Sequence, residues 1–194
     1  MLANKPYVVG LTGGIGCGKS EAARYLKTLG AVHLDADEIS RQLTAEGGAA
    51  LPEIRRVFGD AAFQEDGSLD RACLGRLVFG NEPARRALEG MDAAAKAGAR
   101  VVILDVPLLF ETGMDALCDE TWTLYLEREK QISRVVTRDG LPREQAEARI
   151  DSQIPMEARN ARATHAINTD QPIERTQAEL EQFYRAALRQ AEKG

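Results

Sequence analysis

The stretch Gly13-Gly14-Ile15-Gly16-Cys17-Gly18-Lys19-Ser20 holds the residue types needed to grip a phosphate chain. It fits the pattern G-x-x-x-x-G-K-[ST]. Glycines let the backbone curl until successive N–H groups face inward on phosphate oxygens. A helix that starts there aims its positive end at the same anion. In such a loop Lys19 reaches the β- and γ-phosphates, and the Ser20 hydroxyl ligates Mg²⁺. The plain alternative is a glycine-rich turn, and the flanking sequence argues against it. Tyr7–Leu11 reads as a buried strand before the loop. Glu21–Leu29 reads as a helix after it, with Ala22, Ala23, Leu26 and Leu29 on one apolar stripe.

Three further groups carry candidate chemistry. Asp35-Ala36-Asp37 follows a short strand, Val32–Asp35. Carboxylates at i and i+2 of an extended segment point the same way. Beside a nucleotide, one accepts a proton from a hydroxyl nucleophile while the other orders magnesium-bound water. Equally, Asp35 or Asp37 N-caps the next helix. Asp105 ends the β-branched run Val101–Asp105 and resembles the strand-end acid that helps hold magnesium in phosphate-loop enzymes. The turn Pro107-Leu108-Leu109-Phe110 walls an acceptor site, or Leu108 and Phe110 pack beneath a loop. Arg134 and Arg138 share a helix face at i, i+4 and suit the charge on a transferring phosphoryl group. Solvated surface arginines are the alternative there.

The elements that position these residues alternate strand and helix. Val101–Asp105 reads as a central parallel strand buried on both faces. Thr121–Leu126 and a weak run at Ala166–Asn168 are further strands. Helices are expected over 38–44, 51–58, 71–79, Arg128–Asp139 and Pro142–Asp151, with Pro83 in the first turn of another. Ile132, Val135 and Val136 point inward on one helix. The last begins at Pro172 and puts Ile173, Leu180, Tyr184 and Leu188 on one face. Residues 59–70 read as a polar surface excursion, and the turn at Asp139-Gly140 with the next helix as a small lid. Alternation of this kind gives a parallel sheet with right-handed crossovers and ligands at the strands' carboxyl ends.

Bulk composition narrows the field. A chain of 194 residues with 44% hydrophobic content forms one domain with a sizeable core. A net charge of −5 disfavours binding nucleic acid by phosphate neutralisation, and 5% aromatics disfavours base stacking. A local basic cluster still suits a polyanionic small molecule. No stretch has the length of a membrane span. Cys17, Cys73 and Cys118 are scattered and form no C-x-x-C, which fits a reducing cytoplasm. Cys17 at a helix N-terminus predicts modest oxidation sensitivity, with plain space filling as the alternative. His33 and His165 stand alone and indicate no metal site.

The pattern Leu11–Ser20, Asp35-Ala36-Asp37 with Arg41, Phe58-Gly59, Gly67–Arg71, Phe79, Asp105–Glu111, Arg138-Asp139 and Arg149-Ile150 with Gln153 resembles the dephospho-CoA kinase family. The resemblance runs from the first strand to about residue 170. It implies a single α/β, P-loop kinase-like domain over 1–194, its parallel sheet flanked by helices, with a helical CoA-binding insert at about 38–100 and a lid at 139–160. It implies transfer of the γ-phosphoryl group of ATP to the ribose 3′-hydroxyl of dephospho-CoA. By that likeness Asp37 is the general base, and Lys19 with Arg138 stabilises transition-state charge. ATP is held by Thr12, Gly13, Gly14, Ile15, Gly16, Cys17, Gly18, Lys19 and Ser20, with Arg134, Arg138 and Asn168. Dephospho-CoA faces Asp37, Arg41, Arg71, Leu108, Leu109, Phe110 and Glu111, and the Mg²⁺ set is Ser20, Asp35 and Asp105. The expected partners are these two substrates, with no nucleic acid and no membrane, for a monomer or weak homo-oligomer. Two features depart from the family. No His-Pro pair lies between Leu88 and Val101, so either the insert is short here or a segment is lacking. Asn168 sits one place early for an adenine contact. The rival readings are a kinase of another small hydroxylated acceptor, or a nucleotide-binding module without transfer chemistry.

Overall fold

The computed structural model describes residues 5–36, 38 and 82–193. The helices expected over 38–44, 51–58 and 71–79, the excursion at 59–70 and most of the expected insert lie outside them. So do Asp37, Arg41, Arg71 and Cys73.

Five strands form one parallel sheet: β1 (Tyr7–Gly13), β2 (Val32–Asp35), β3 (Val101–Asp105), β4 (Glu120–Tyr125) and β5 (His165–Asn168), in the order β2-β3-β1-β4-β5. The middle strand is therefore β1. The run Val101–Asp105, expected at the centre, is its neighbour. It is still buried along its whole length, because helices cover both faces. The helices are α1 (Lys19–Thr28), α2 (Glu82–Lys96), α3 (Arg128–Asp139), α4 (Arg143–Asp151), α5 (Met156–Arg162) and α6 (Ile173–Ala191).

Strand alternation divides the core in two. Val9, Leu11, Val101 and Ile103 face one way and pack with Leu26 of α1 and Leu180, Tyr184 and Ala187 of α6. Val8, Val102 and Leu104 face the other way and meet Ala87, Met91 and Ala94 of α2, with Leu109 and Phe110. A third cluster joins Ile132 and Val135 of α3 to Ala146 and Ile150 of α4, and Ile15 of the glycine-rich loop packs against it. The phosphate-type loop is thus seated on the helices that follow β4.

Local signals explain the boundaries. Gly18 opens α1 in the left-handed conformation (φ 83°), which glycine adopts without a Cβ clash. Gly140 (φ 65°) closes α3 the same way. Prolines 142, 155 and 172 stand just before α4, α5 and α6. The apolar face of α6 differs from expectation. Leu180 and Tyr184 are buried and Leu188 is half-buried, but Ile173 is 47% exposed; Thr176 is buried in its place. Ile173 is the first residue of α6, where the helix has not yet come down onto the sheet.

Candidate active site

Because all five strands run parallel, their carboxyl ends share one edge, and the loop Gly13–Ser20 leaves β1 at that edge. Above it lies a cavity of about 690 Å³ walled by residues 13–21, Arg24, Pro107, Ser133, Arg134, Thr137, Arg138 and Gln153. Four of those side chains are cations, Lys19, Arg24, Arg134 and Arg138, against the single carboxylate of Glu21. A chain of net charge −5 has gathered a positive field in this cleft. No side chain caps the N-terminus of α1, whose free N–H groups point toward an anion in this position.

Two of the loop glycines sit where the backbone is crowded. A Cβ at Gly13 would lie 2.9 Å from the Leu124 carbonyl oxygen. One at Gly14 would lie 2.6 Å from Gln131 Nε2 and 2.9 Å from Arg159 Nη2. The loop is held from behind as well. Gln131 Nε2 donates to the Ile15 carbonyl at 2.7 Å, and the Ile15 N–H donates to Gln153 Oε1 at 2.9 Å.

Lys19 points at the strand edge and forms an ion pair with Asp105 Oδ1. The other carboxylate oxygen, Oδ2, lies 3.0 Å from His33 Nε2. Asp105 is 3% exposed, so both partners matter: a buried carboxylate is tolerable only when paired and hydrogen-bonded. His33 was expected to stand alone. It faces Asp105 because β2 and β3 pair in parallel, with Asp35 opposite Asp105. Asp35 Oδ1 accepts the Glu38 N–H at 2.9 Å, which is the capping role weighed for it.

Other expected site residues fall on both sides of the cavity wall. Gly13, Gly14, Ile15, Gly16, Cys17, Gly18, Lys19, Ser20, Arg134 and Arg138 line it together. Thr12 does not: it is fully buried, and its hydroxyl donates to the Pro107 carbonyl at 3.0 Å. Asn168 does not either. Its Oδ1 accepts the Asp170 N–H at 2.8 Å and shapes the turn after β5. Leu109 and Phe110 are buried in the core, and Arg162 lies over the Phe110 ring at 4.5 Å. Leu108 is half-buried. Glu111 is exposed and accepts the Ile154 N–H at 3.3 Å.

Arg138 is paired with its neighbour Asp139, which raises the guanidinium pKa and lowers that of the carboxyl. Cys17 departs from expectation. The thiol is 1% exposed, and desolvation pushes its pKa up despite the helix N-terminus and Arg159 nearby. The buried thiol fits the space-filling alternative. His165 stacks on Phe183 at 4.0 Å between ring centroids, which accounts for it structurally.

The residues that sequence reasoning did not single out are His33, Gln131 and Arg159. Arg159 is 3% exposed, and burial lowers its pKa.

The dephospho-CoA kinase family model matches residues 7–175. This chain belongs to the dephospho-CoA kinase family. That family catalyses the final step of coenzyme A synthesis, and the chain is accordingly a transferase that phosphorylates dephospho-CoA. It is 39% identical to the dephospho-CoA kinase of Symbiobacterium thermophilum, over 93% of this chain and 81% of that protein. The dephospho-CoA kinase of Geobacter sulfurreducens is 36% identical, over 91% of this chain and 96% of that protein. Among solved structures, a Thermus thermophilus protein matches with TM-score 0.70 at 33% identity, covering 95% of this chain and 97% of that one. A shikimate kinase from Acinetobacter baumannii shares the fold alone, with TM-score 0.56 at 19% identity, over 96% of each chain. No described helix is long and apolar enough to cross a membrane.

Proposed function

We propose that the cavity over residues 13–20 takes ATP with Mg²⁺ and that the γ-phosphoryl group passes directly, in line, to the ribose 3′-hydroxyl of dephospho-CoA. The observation that carries this reading is the cavity itself: a glycine-rich loop on one wall and the Arg134–Arg138 face of α3 on the other. Its volume of about 690 Å³ suits a nucleotide. Loop N–H groups and the N-terminus of α1 would hold the β- and γ-phosphates. Lys19 would leave Asp105 for the phosphates, exchanging one anion for another, and Arg138 would meet the charge on the transferring group.

Magnesium fits the donor set. Among the described residues no group of three or more His, Cys, Asp or Glu side chains forms a metal cage. Magnesium does not need one, because it is held by one or two carboxylates together with phosphate oxygens and water. Ser20, Asp105 and Asp35 supply oxygen donors of that kind at the carboxyl edge of the sheet. When bound, the ion neutralises charge on the β- and γ-phosphates. Asp105 would supply a carboxylate whose orientation His33 fixes. Asp37, two residues beyond Asp35, would accept the proton of the 3′-hydroxyl, with Arg41 and Arg71 on the acceptor side.

The adenine would lie against a smaller recess of about 180 Å³ that shares Gly18, Glu21 and Arg134 with the main cavity and adds Tyr25, Thr169, Gln171 and Ile173. Ile173, exposed at the start of α6, gives it an apolar floor. Residues 139–160 act as the lid. Its helix α4 packs on α3 through Ile132, Val135, Ala146 and Ile150, and the exposed Arg143–Glu129 and Arg128–Asp151 pairs add to that joint. The test is Asp37→Asn: kcat falls at least about a hundredfold while the ATP dissociation constant changes less than about threefold. Equal loss of both, or of neither, would remove Asp37 from the role of base.

A further inference from the structure

Residue 15 of the phosphate loop is held at three points. Its side chain packs on the cluster formed by Ile132, Val135, Ala146 and Ile150. Its carbonyl accepts from Gln131 Nε2 at 2.7 Å, and its N–H donates to Gln153 Oε1 at 2.9 Å. The two amides come from different elements. Gln131 is 6% exposed on the first turn of α3, and Gln153 follows α4 and reaches the cavity wall. Each uses the half of its amide that matches the backbone group it meets, a donor to C=O and an acceptor to N–H.

Gln131 also sits on the face of α3 that carries the cavity arginines. Arg134 is three residues on and Arg138 seven, which places all three along one side of the helix. The helix touches the loop again one residue later. Arg134 Nη1 approaches the Gly16 carbonyl at 3.4 Å, and a Cβ at Gly16 would meet Val135 Cγ2 at 3.2 Å. Any slip of α3 along the loop would therefore move both guanidinium groups relative to the phosphates.

We infer that Gln131 and Gln153 are positioning residues that bracket the Ile15 backbone and so set the height of Arg134 and Arg138 over the nucleotide. The inference rests on the nucleotide reading of the cavity given above. Its consequence is cooperative. One bracket without the other leaves residue 15 free to turn, so losing either amide loses most of the benefit of both. The arginines stay present and charged, so phosphate binding survives while the geometry of transfer degrades.

The experiment measures kcat, the ATP dissociation constant by calorimetry and the melting temperature for Gln131→Met, Gln153→Met and the double variant. Each single change lowers kcat about tenfold, as a misplacement of well under 1 Å does, and shifts the ATP dissociation constant less than about threefold. The double variant falls within about twofold of the worse single one. Two isosteric variants sharpen the result, read at saturating ATP. Gln153→Glu keeps an acceptor for the Ile15 N–H and recovers most of the rate that Gln153→Met loses. Gln131→Glu puts a carboxylate against the Ile15 carbonyl and recovers none.

Multiplicative losses in the double variant would overturn the inference, as would equal behaviour of the two glutamate variants, or a lowered melting temperature with kcat unchanged. Failure of the nucleotide reading looks different: the unaltered chain would itself show no affinity for ATP.

Discussion

Removing the Lys19 ammonium should separate two roles that one side chain holds together. In the described structure it neutralises Asp105, whose side chain is 4% exposed while that of Lys19 is 18% exposed. Breaking a buried pair by deleting one partner costs about 3–5 kcal/mol when the remaining charge is stranded. Asp105 is not wholly stranded, because His33 Nε2 stays 3.0 Å from its other oxygen. The loss for Lys19→Ala should therefore be nearer about 2 kcal/mol, a drop in Tm of about 4–8 °C for a domain of this size. On catalysis the same change removes a donor aimed at developing charge, worth about 10²–10³ in kcat. Adding Asp105→Asn removes the stranded charge while leaving an oxygen for His33. Lys19→Ala/Asp105→Asn should recover most of the lost Tm and none of the lost rate. Thermal unfolding followed by circular dichroism and an ADP-release assay read the two effects separately. A Lys19→Ala chain with wild-type kcat would refute the assignment to phosphate. An unchanged Tm would refute the electrostatic account of Asp105.

Further outcomes follow from the same geometry. Gly14→Ala should lower both stability and ATP affinity, by about 1–3 kcal/mol in stability, since its Cβ would intrude within 2.6 Å of Gln131 Nε2; denaturant titration and calorimetry read the two. Cys17, which is 1% exposed, should alkylate no faster than the chain unfolds at pH 7.5, and the half-buried Cys118 more slowly than a free thiol, which site-resolved mass spectrometry reports. Burial raises both thiols, Cys118 to about 12, so the fold favours the protonated form. That contribution is complete below the unfolded thiol pKa of about 8.5 and is lost as pH climbs toward the folded value. The denaturation midpoint should accordingly fall at alkaline pH, and less so in Cys118→Ala. Ile173→Asp should raise the KM for ATP several-fold with kcat held, as about 1 kcal/mol of apolar contact is worth; an unchanged KM would move adenine elsewhere.

Much of the edge that carries the glycine-rich loop was legible because its signals are local. Gly13–Ser20 fixes a curl that few sequences allow, and the β-branched run Val101–Asp105 needs no partner to announce a buried strand. Arg128–Asp139 was bounded at both ends by residues within itself or next to it, Glu127 at the start and Gly140 at the close. What depended on pairing across the sheet was not legible. His33 meets Asp105 only because β2 lies beside β3, and nothing within Val32–Asp35 encodes that neighbour. Cys17 misled for a related reason. Its place at a helix N-terminus is local, but the burial that governs its thiol comes from distant chain. Thr12 adjoins the motif and Asn168 came from the family resemblance, and their side chains serve the Pro107 carbonyl and the turn after β5. Phe110 packs in the core, which was the alternative given for it, and Leu109 joins it there, since the turn after β3 folds back over Gly10 and α2.

The most direct test of the whole account follows ADP and product together when the 194-residue chain is given Mg–ATP with and without dephospho-CoA. The account predicts negligible ADP release without acceptor, and with it one ADP for each dephospho-CoA converted to coenzyme A. ADP release that ignores dephospho-CoA, or ATP binding with no transfer at all, would contradict it.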